Sequence, residues 1–185
     1  FVAGLAGAAV SLPTLASARG RGTQPAMSQR YQPRIVAFGK YLKSDLPAKI
    51  NAADWAGLKA DAAAEVDKKK GAVGPLYRGA SSMTLWASTF SDSAVTQTQK
   101  DLDAQVDVIS GLRDEIESIA KQGLGEGKKT GGFFGVGGKT EPPPPAATLK
   151  KSALAAVAAA TKAYNEYVEV SNKAAPFEIN PIPPI

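Results

Sequence analysis

The chain has 185 residues, enough for one domain with tails, since domains run ~100–200 residues. It contains no cysteine and no histidine, which removes disulfides, thiolate chemistry, the commonest transition-metal ligand and the usual general base near neutral pH, and so argues against most hydrolases and redox enzymes. The net charge of +5 is unevenly placed: residues 1–50 set seven Lys/Arg against Asp45 alone, whereas residues 93–122 set Asp101, Asp103, Asp107, Asp114, Glu115 and Glu117 against Lys100, Arg113 and Lys121, an asymmetry that suits docking to a negative protein or lipid surface.

Residues 1–18, FVAGLAGAAVSLPTLASA, form an uncharged run ending in the small-x-small triplet Ala16-Ser17-Ala18. That is the shape of an export signal's apolar region and cleavage site. As a membrane span it is weak, being short and interrupted by Gly4, Gly7 and Pro13. A basic arm carrying Arg19 and Arg21 completes residues 1–27. From Ser28, the residues Tyr31, Ile35, Phe38 and Leu42 fall on one helical face. Pro33 is expected within the first turn, where its missing N–H costs nothing, and Pro47 is expected to end the helix.

Asn51 is the next expected N-cap, with Asp54 three residues on to meet the helix dipole. Trp55, Leu58, Ala62 and Val66 make a second stripe. Gly71, Gly74 and Pro75 interrupt it, and Leu76, Gly79, Ala80, Met83, Trp86 or Leu85, and Phe90 resume it. The economical reading is one long helix kinked near Gly71 to Pro75, with two helices joined by a tight turn as the alternative. Ser91-Asp92-Ser93 supplies the next stop and N-cap.

The third helix carries Val95, Leu102, Ile109 and Ile116 at intervals of seven, with Val106, Leu112 and Ile119 on the same side. Such a seam is what an antiparallel bundle helix requires. Residues 123–146 then form a loop rich in glycine and proline, long enough to be functional or disordered. Its Phe133-Phe134 pair is too apolar for a plain spacer and favours a docking loop. The alanine-rich segment 147–173 is the last helix, with Leu149, Ala153, Leu154, Val157, Thr161, Tyr164 and Val168 facing inward. The tail 174–185 has prolines at 176, 181, 183 and 184, so it is extended and lies on a partner or on the bundle.

Three motifs fail their tests. Gly-Gly-Lys-Thr at 137–140 resembles the end of a phosphate-binding loop, but Phe133 stands where the first glycine belongs, and Glu141 and four prolines follow in place of a helix. Adjacent or i+2 acids such as Asp101/Asp103, Asp114/Glu115 and Glu115/Glu117 do not share a helical face, Asp103 to Asp107 makes at best one exposed pair, and a di-metal bundle would want Glu-x-x-His motifs. Trp55 and Trp86 sit on apolar stripes, where core packing accounts for them. The residues thus describe an all-α protein, an up-down four-helix bundle over 28–173 with extended N-terminal and Pro-rich C-terminal arms. No catalytic, metal or cofactor residue is expected, nor a nucleotide or nucleic-acid partner, because the basic residues are dispersed and lack a stacking platform. The candidate docking residues are Arg19, Arg21, Arg30, Arg34, Phe133, Phe134 and Phe177.

An Ala-rich helical chain behind an export-like segment, opening with Arg30-Tyr31-Gln32-Pro33-Arg34-Ile35, resembles the PsbQ-type extrinsic proteins of photosystem II, in particular the PsbQ-prime subunits of red-lineage plastids. The resemblance spans roughly residues 28–173. It implies a non-enzymatic subunit in the thylakoid lumen, peripheral to the membrane. Such a subunit shields the manganese-calcium centre, helps to retain calcium and chloride, and docks on intrinsic and neighbouring extrinsic subunits. The retained apolar segment, the glycine-rich loop and the proline-rich tail depart from that pattern. A linker or assembly subunit of an antenna or photosystem I, joined through residues 1–27 and 176–185, is the alternative.

Overall fold

The computed structural model describes residues 24–63, 73–91, 94–126 and 144–185. Among these residues all regular structure is helical. Helix α1 spans Gln24–Lys40, beginning four residues before the expected Ser28. Its Tyr31, Ile35 and Phe38 are buried as the spacing required. Pro33 lies in its interior rather than its first turn. The helix tolerates this because Pro33 and Gln29, whose carbonyl loses its partner, both face solvent.

The expected stop at Pro47 does not occur. A π-helical segment, Tyr41–Asp45, bonds the Leu46 N–H to the Tyr41 carbonyl, and α2, Leu46–Ala52, continues directly with Pro47 in its first turn. The widened turn shifts the bonding register just where proline has no donor to offer. Helix α2 ends instead at Ala53, which adopts the left-handed conformation with φ 55°. That termination frees Asp54, not Asn51, to be the next cap: its carboxylate accepts the Gly57 N–H at 2.9 Å, opening α3, Trp55–Ala62. Asn51 is a residue of α2.

One long kinked helix is likewise corrected to two. Ala63 is extended, the Gly74 N–H bonds back to the Ala63 carbonyl at 3.0 Å, and α4, Pro75–Ala87, starts afresh with proline at its N-terminus. Val66 lies outside the described residues. Of the two alternatives on α4, Trp86 is fully buried and Leu85 is exposed. A 3₁₀ turn, Ser88–Phe90, follows. Thr96 then caps α5, Gln97–Gly123, by accepting the Gln99 N–H. The cap is therefore not in Ser91-Asp92-Ser93, of which Asp92 and Ser93 are outside the described residues. Val95 precedes the helix and is exposed, but Leu102, Val106, Ile109, Leu112, Ile116 and Ile119 form the expected buried seam.

Helix α6, Ala146–Ala174, buries Leu149, Ala153, Val157, Tyr164 and Val168. Leu154 lies on its outer side, and Thr161 is half-buried; Ala160, Ala163, Tyr167 and Ser171 complete the inner face. Helix α5 packs along α6, α1 on α4, and α3 on α5. Side-chain bonds fix the directions. Tyr164 donates to the Ile35 carbonyl and Lys150 to that of Asn51, so α1 and α2 run antiparallel to α6. Tyr167 donates to the Met83 carbonyl and the Trp86 indole to Ser171 Oγ, each at 2.7 Å, so α4 runs parallel to α6. Aromatic rings on long helices thus reach their hydroxyl and N–H partners while burying the rest of the side chain.

Candidate docking surfaces

The proline-rich tail lies on the chain's own helices. After α6 the Ile179 N–H bonds to the Pro176 carbonyl at 3.0 Å, closing a turn that holds Phe177 outward with 95% of its surface exposed. Beyond the turn, Ile179 and Ile182 are buried, and Ile185 packs against the same core. The interval of three is that of a polyproline II helix, which brings every third side chain to one face. Two asparagines of α6 hold its backbone. Asn172 Oδ1 accepts the Ile182 N–H at 2.8 Å while its Nδ2 donates to the Ile182 carbonyl at 2.8 Å. One turn pair away, Asn165 does the same for Ile185 at 2.9 and 3.0 Å. Gln32 of α1 adds a bond to the Asn180 carbonyl. Because the amides supply the donors and acceptors that a sheet or water would otherwise give, an extended segment is held without secondary structure.

Gln32 stands between Arg30 and Arg34 in the sequence of α1, and both arginines are exposed. The Arg30 guanidinium lies 5.5 Å from the centre of the Tyr31 ring. Arg34 instead lines a groove between α1 and α4. Of the other expected docking residues, Arg19, Arg21, Phe133 and Phe134 lie outside the described residues. Arg30, Arg34 and Phe177 are therefore the three whose setting is known; Gln32, two residues from each arginine, faces away from both and toward the tail.

Buried polar groups have structural partners. Asp61 of α3 is buried and accepts the Tyr41 hydroxyl at 2.7 Å and the Lys49 ammonium, stapling α3 to the π segment and α2. Burial first, then the hydrogen bond to Asp61 and the charges of Asp61 and Asp45, hold the Tyr41 hydroxyl far above the ordinary tyrosine range. A base in this setting would need a free lone pair aimed at a cavity, whereas this carboxylate is engaged by two donors on neighbouring helices. Among the described residues no three Asp or Glu side chains approach closely enough to hold a metal ion, and no helix is long and apolar enough to cross a membrane.

The sequence did not single out Tyr77, Arg78 and Leu85, which are exposed together on α4. Their signal was available: Tyr77, Ser81 and Leu85 recur at intervals of four beside the buried stripe of Leu76, Ala80, Met83 and Ala87, and no acid occurs in Pro75–Ala87. Asn165 and Asn172 were also missed, although amides seven residues apart share a helical face.

No family model, curated protein or solved structure matches the chain.

Proposed function

We propose that the chain is a non-enzymatic docking subunit, an up-down four-helix bundle that sits on the lumenal side of photosystem II and stabilises its manganese-calcium centre and the retention of calcium and chloride. The observation that carries the docking role is Phe177: a large apolar side chain held almost wholly in solvent by a tail that is itself clamped in place. Preorganisation of this kind lowers the ordering cost of binding, and aromatic residues, phenylalanine among them, are enriched at interfaces relative to the rest of the surface. The photosystem II assignment draws on the export-like residues 1–18 and on the resemblance carried by Arg30 to Ile35. The clamped tail favours a fixed subunit over a tethering linker, because residues 179–185 are engaged on their own helices.

The test is washing of photosystem II membranes with salt or at alkaline pH. The chain is expected to be released and oxygen evolution to fall, with partial recovery on adding calcium and chloride and fuller recovery on adding back the protein. Co-purification with an antenna or photosystem I, with oxygen evolution unaffected by its removal, would replace this reading with that of a linker.

A further inference from the structure

We infer that the groove between α1 and α4 is an interaction surface for an acidic polypeptide segment carrying a large apolar side chain. The inference rests on the reading of the chain as a docking subunit, and it is independent of which complex is docked. Two depressions flank one ridge on α4. The larger, about 420 Å³, is bordered by Arg34, Val73, Tyr77, Arg78, Ser81 and Leu85. The smaller, about 310 Å³, continues across Tyr77, Ser81 and Leu85 to Ser110 and Arg113 of α5. Tyr77 and Leu85 are 39% and 43% exposed and lie eight residues apart, about 12 Å at ~1.5 Å per residue. Between them the helix shows the hydroxyls of Ser81 and Thr84 and a single charge, Arg78.

Charge selects the occupant. The stretches Gln24–Lys40 and Pro75–Ala87 contain Arg30, Arg34, Lys40 and Arg78 and no acid, so the layer made by α1 and α4 is uniformly positive. Arg113 is already paired with Asp114 and lies 5.8 Å from the Tyr77 ring centre, so it walls the smaller depression rather than offering a free charge. Arg78 donates to the Val73 carbonyl at 3.0 Å through one nitrogen, which orients its guanidinium and leaves other donors for a carboxylate. Arginine binds carboxylates through paired, directional N–H groups. A concave cleft with apolar walls accepts an inserted side chain, whereas an anionic bilayer is met by a convex amphipathic face with basic residues along one side. The chemistry therefore fits carboxylates on Arg34 and Arg78 with an apolar residue between Tyr77 and Leu85.

The full chain is titrated with a fluorescent peptide of repeating Glu-Glu-Leu-Glu-Glu-Phe, its Lys-for-Glu counterpart, and phosphatidylglycerol vesicles. The acidic peptide is expected to bind and to weaken with salt. The double variant Arg34→Glu/Arg78→Glu is expected to weaken it at least about tenfold, because two attractive contacts become repulsive. Leu85→Ser is expected to weaken it about threefold, from the apolar surface lost. The control Lys162→Glu/Lys173→Glu changes net charge equally on exposed sites of α6 and is expected to cost less than about twofold. Unchanged melting temperatures show that the variants are folded. No binding of the acidic peptide, equal loss in the control, or vesicles competing it away through Arg34 and Arg78 would each overturn the inference, the last in favour of a lipid headgroup. If washed photosystem II membranes fail to take up a chain whose peptide binding follows the expected pattern, the photosystem assignment falls and the groove stands. If they take up the double variant as well as the wild type, the groove falls and the assignment stands.

Discussion

Glycines that look alike along the chain have opposite roles in the packing. A β-carbon on Gly79 would overlap the Phe38 ring where α4 crosses α1, whereas one on Gly111 would meet nothing within 4 Å. Gly79→Ala is therefore expected to destabilise the fold by about 1–3 kcal/mol through overpacking. Gly111→Ala is expected to stabilise it by about 0.5–1 kcal/mol through helix propensity; urea unfolding of the two variants checks both signs. The apolar stripe already places Gly79 inward, but the contact that forbids a β-carbon there is not legible in the sequence, since the Phe38 ring belongs to a distant helix. The tyrosines make a second prediction. Burial pushes Tyr164 up to about 12. It also holds Tyr167 well above the ordinary value, with Asp103 and Tyr164 adding to it. The folded state thus binds these protons more tightly than the unfolded chain, whose tyrosines titrate near ~10. Their contribution is complete below about pH 10 and declines as pH rises through about 12. Unfolding free energies measured from neutral to alkaline pH are expected to fall in that window, with tyrosinate absorbance appearing together with unfolding. Tyr164→Phe is expected to make the fall shallower.

At the scale of elements, periodicity identified helices far better than their ends. The buried stripe Tyr31, Ile35, Phe38, Leu42 and the seam from Leu102 to Ile119 were legible because one face of each helix meets the core. The ends escaped because they depend on particular backbone states: a left-handed Ala53 that hands the cap to Asp54, and a π turn that carries the helix past Pro47. The tail shows a third case. Its prolines announced an extended segment, and Ile179, Ile182 and Ile185 repeat at the polyproline interval, but the clamp resides in Asn165 and Asn172 on another element. If those amides hold the strap, Asn172→Ala leaves the N–H and carbonyl of Ile182 without their partners. It is expected to cost about 1–2 kcal/mol, with faster hydrogen exchange at Ile182 and earlier proteolysis of the tail. Unchanged exchange at Ile182 would show that the isoleucines alone hold it.

For the whole molecule, the division of charge makes a layered object: α1 and α4 are free of acids, while α5 carries six acids against three basic residues. The broad asymmetry was legible because it follows from composition by segment. The groove was not, since it needs the packing of α1 beside α4. Phe177 joins this layered body to its proposed role, and its exposure permits a clean separation of binding from folding. A side chain already 95% exposed contributes little core burial, so Phe177→Ala is expected to leave the unfolding midpoint unchanged. Burial of the same ring in an interface is worth about 1.5–3 kcal/mol, so rebinding to washed photosystem II membranes is expected to weaken roughly 10- to 100-fold. Val95→Ser supplies the control, because Val95 is also an exposed apolar residue, at 57%, but precedes α5 and is not held on the clamped strap. Equal rebinding of wild type and Phe177→Ala would remove Phe177 as the anchor. Equal weakening by Val95→Ser would indicate nonspecific adhesion of apolar surface. Loss with Phe177→Ala alone, recovered in Phe177→Trp, would assign the contact to an aromatic side chain at this position, because a second ring restores the buried area without restoring the original shape.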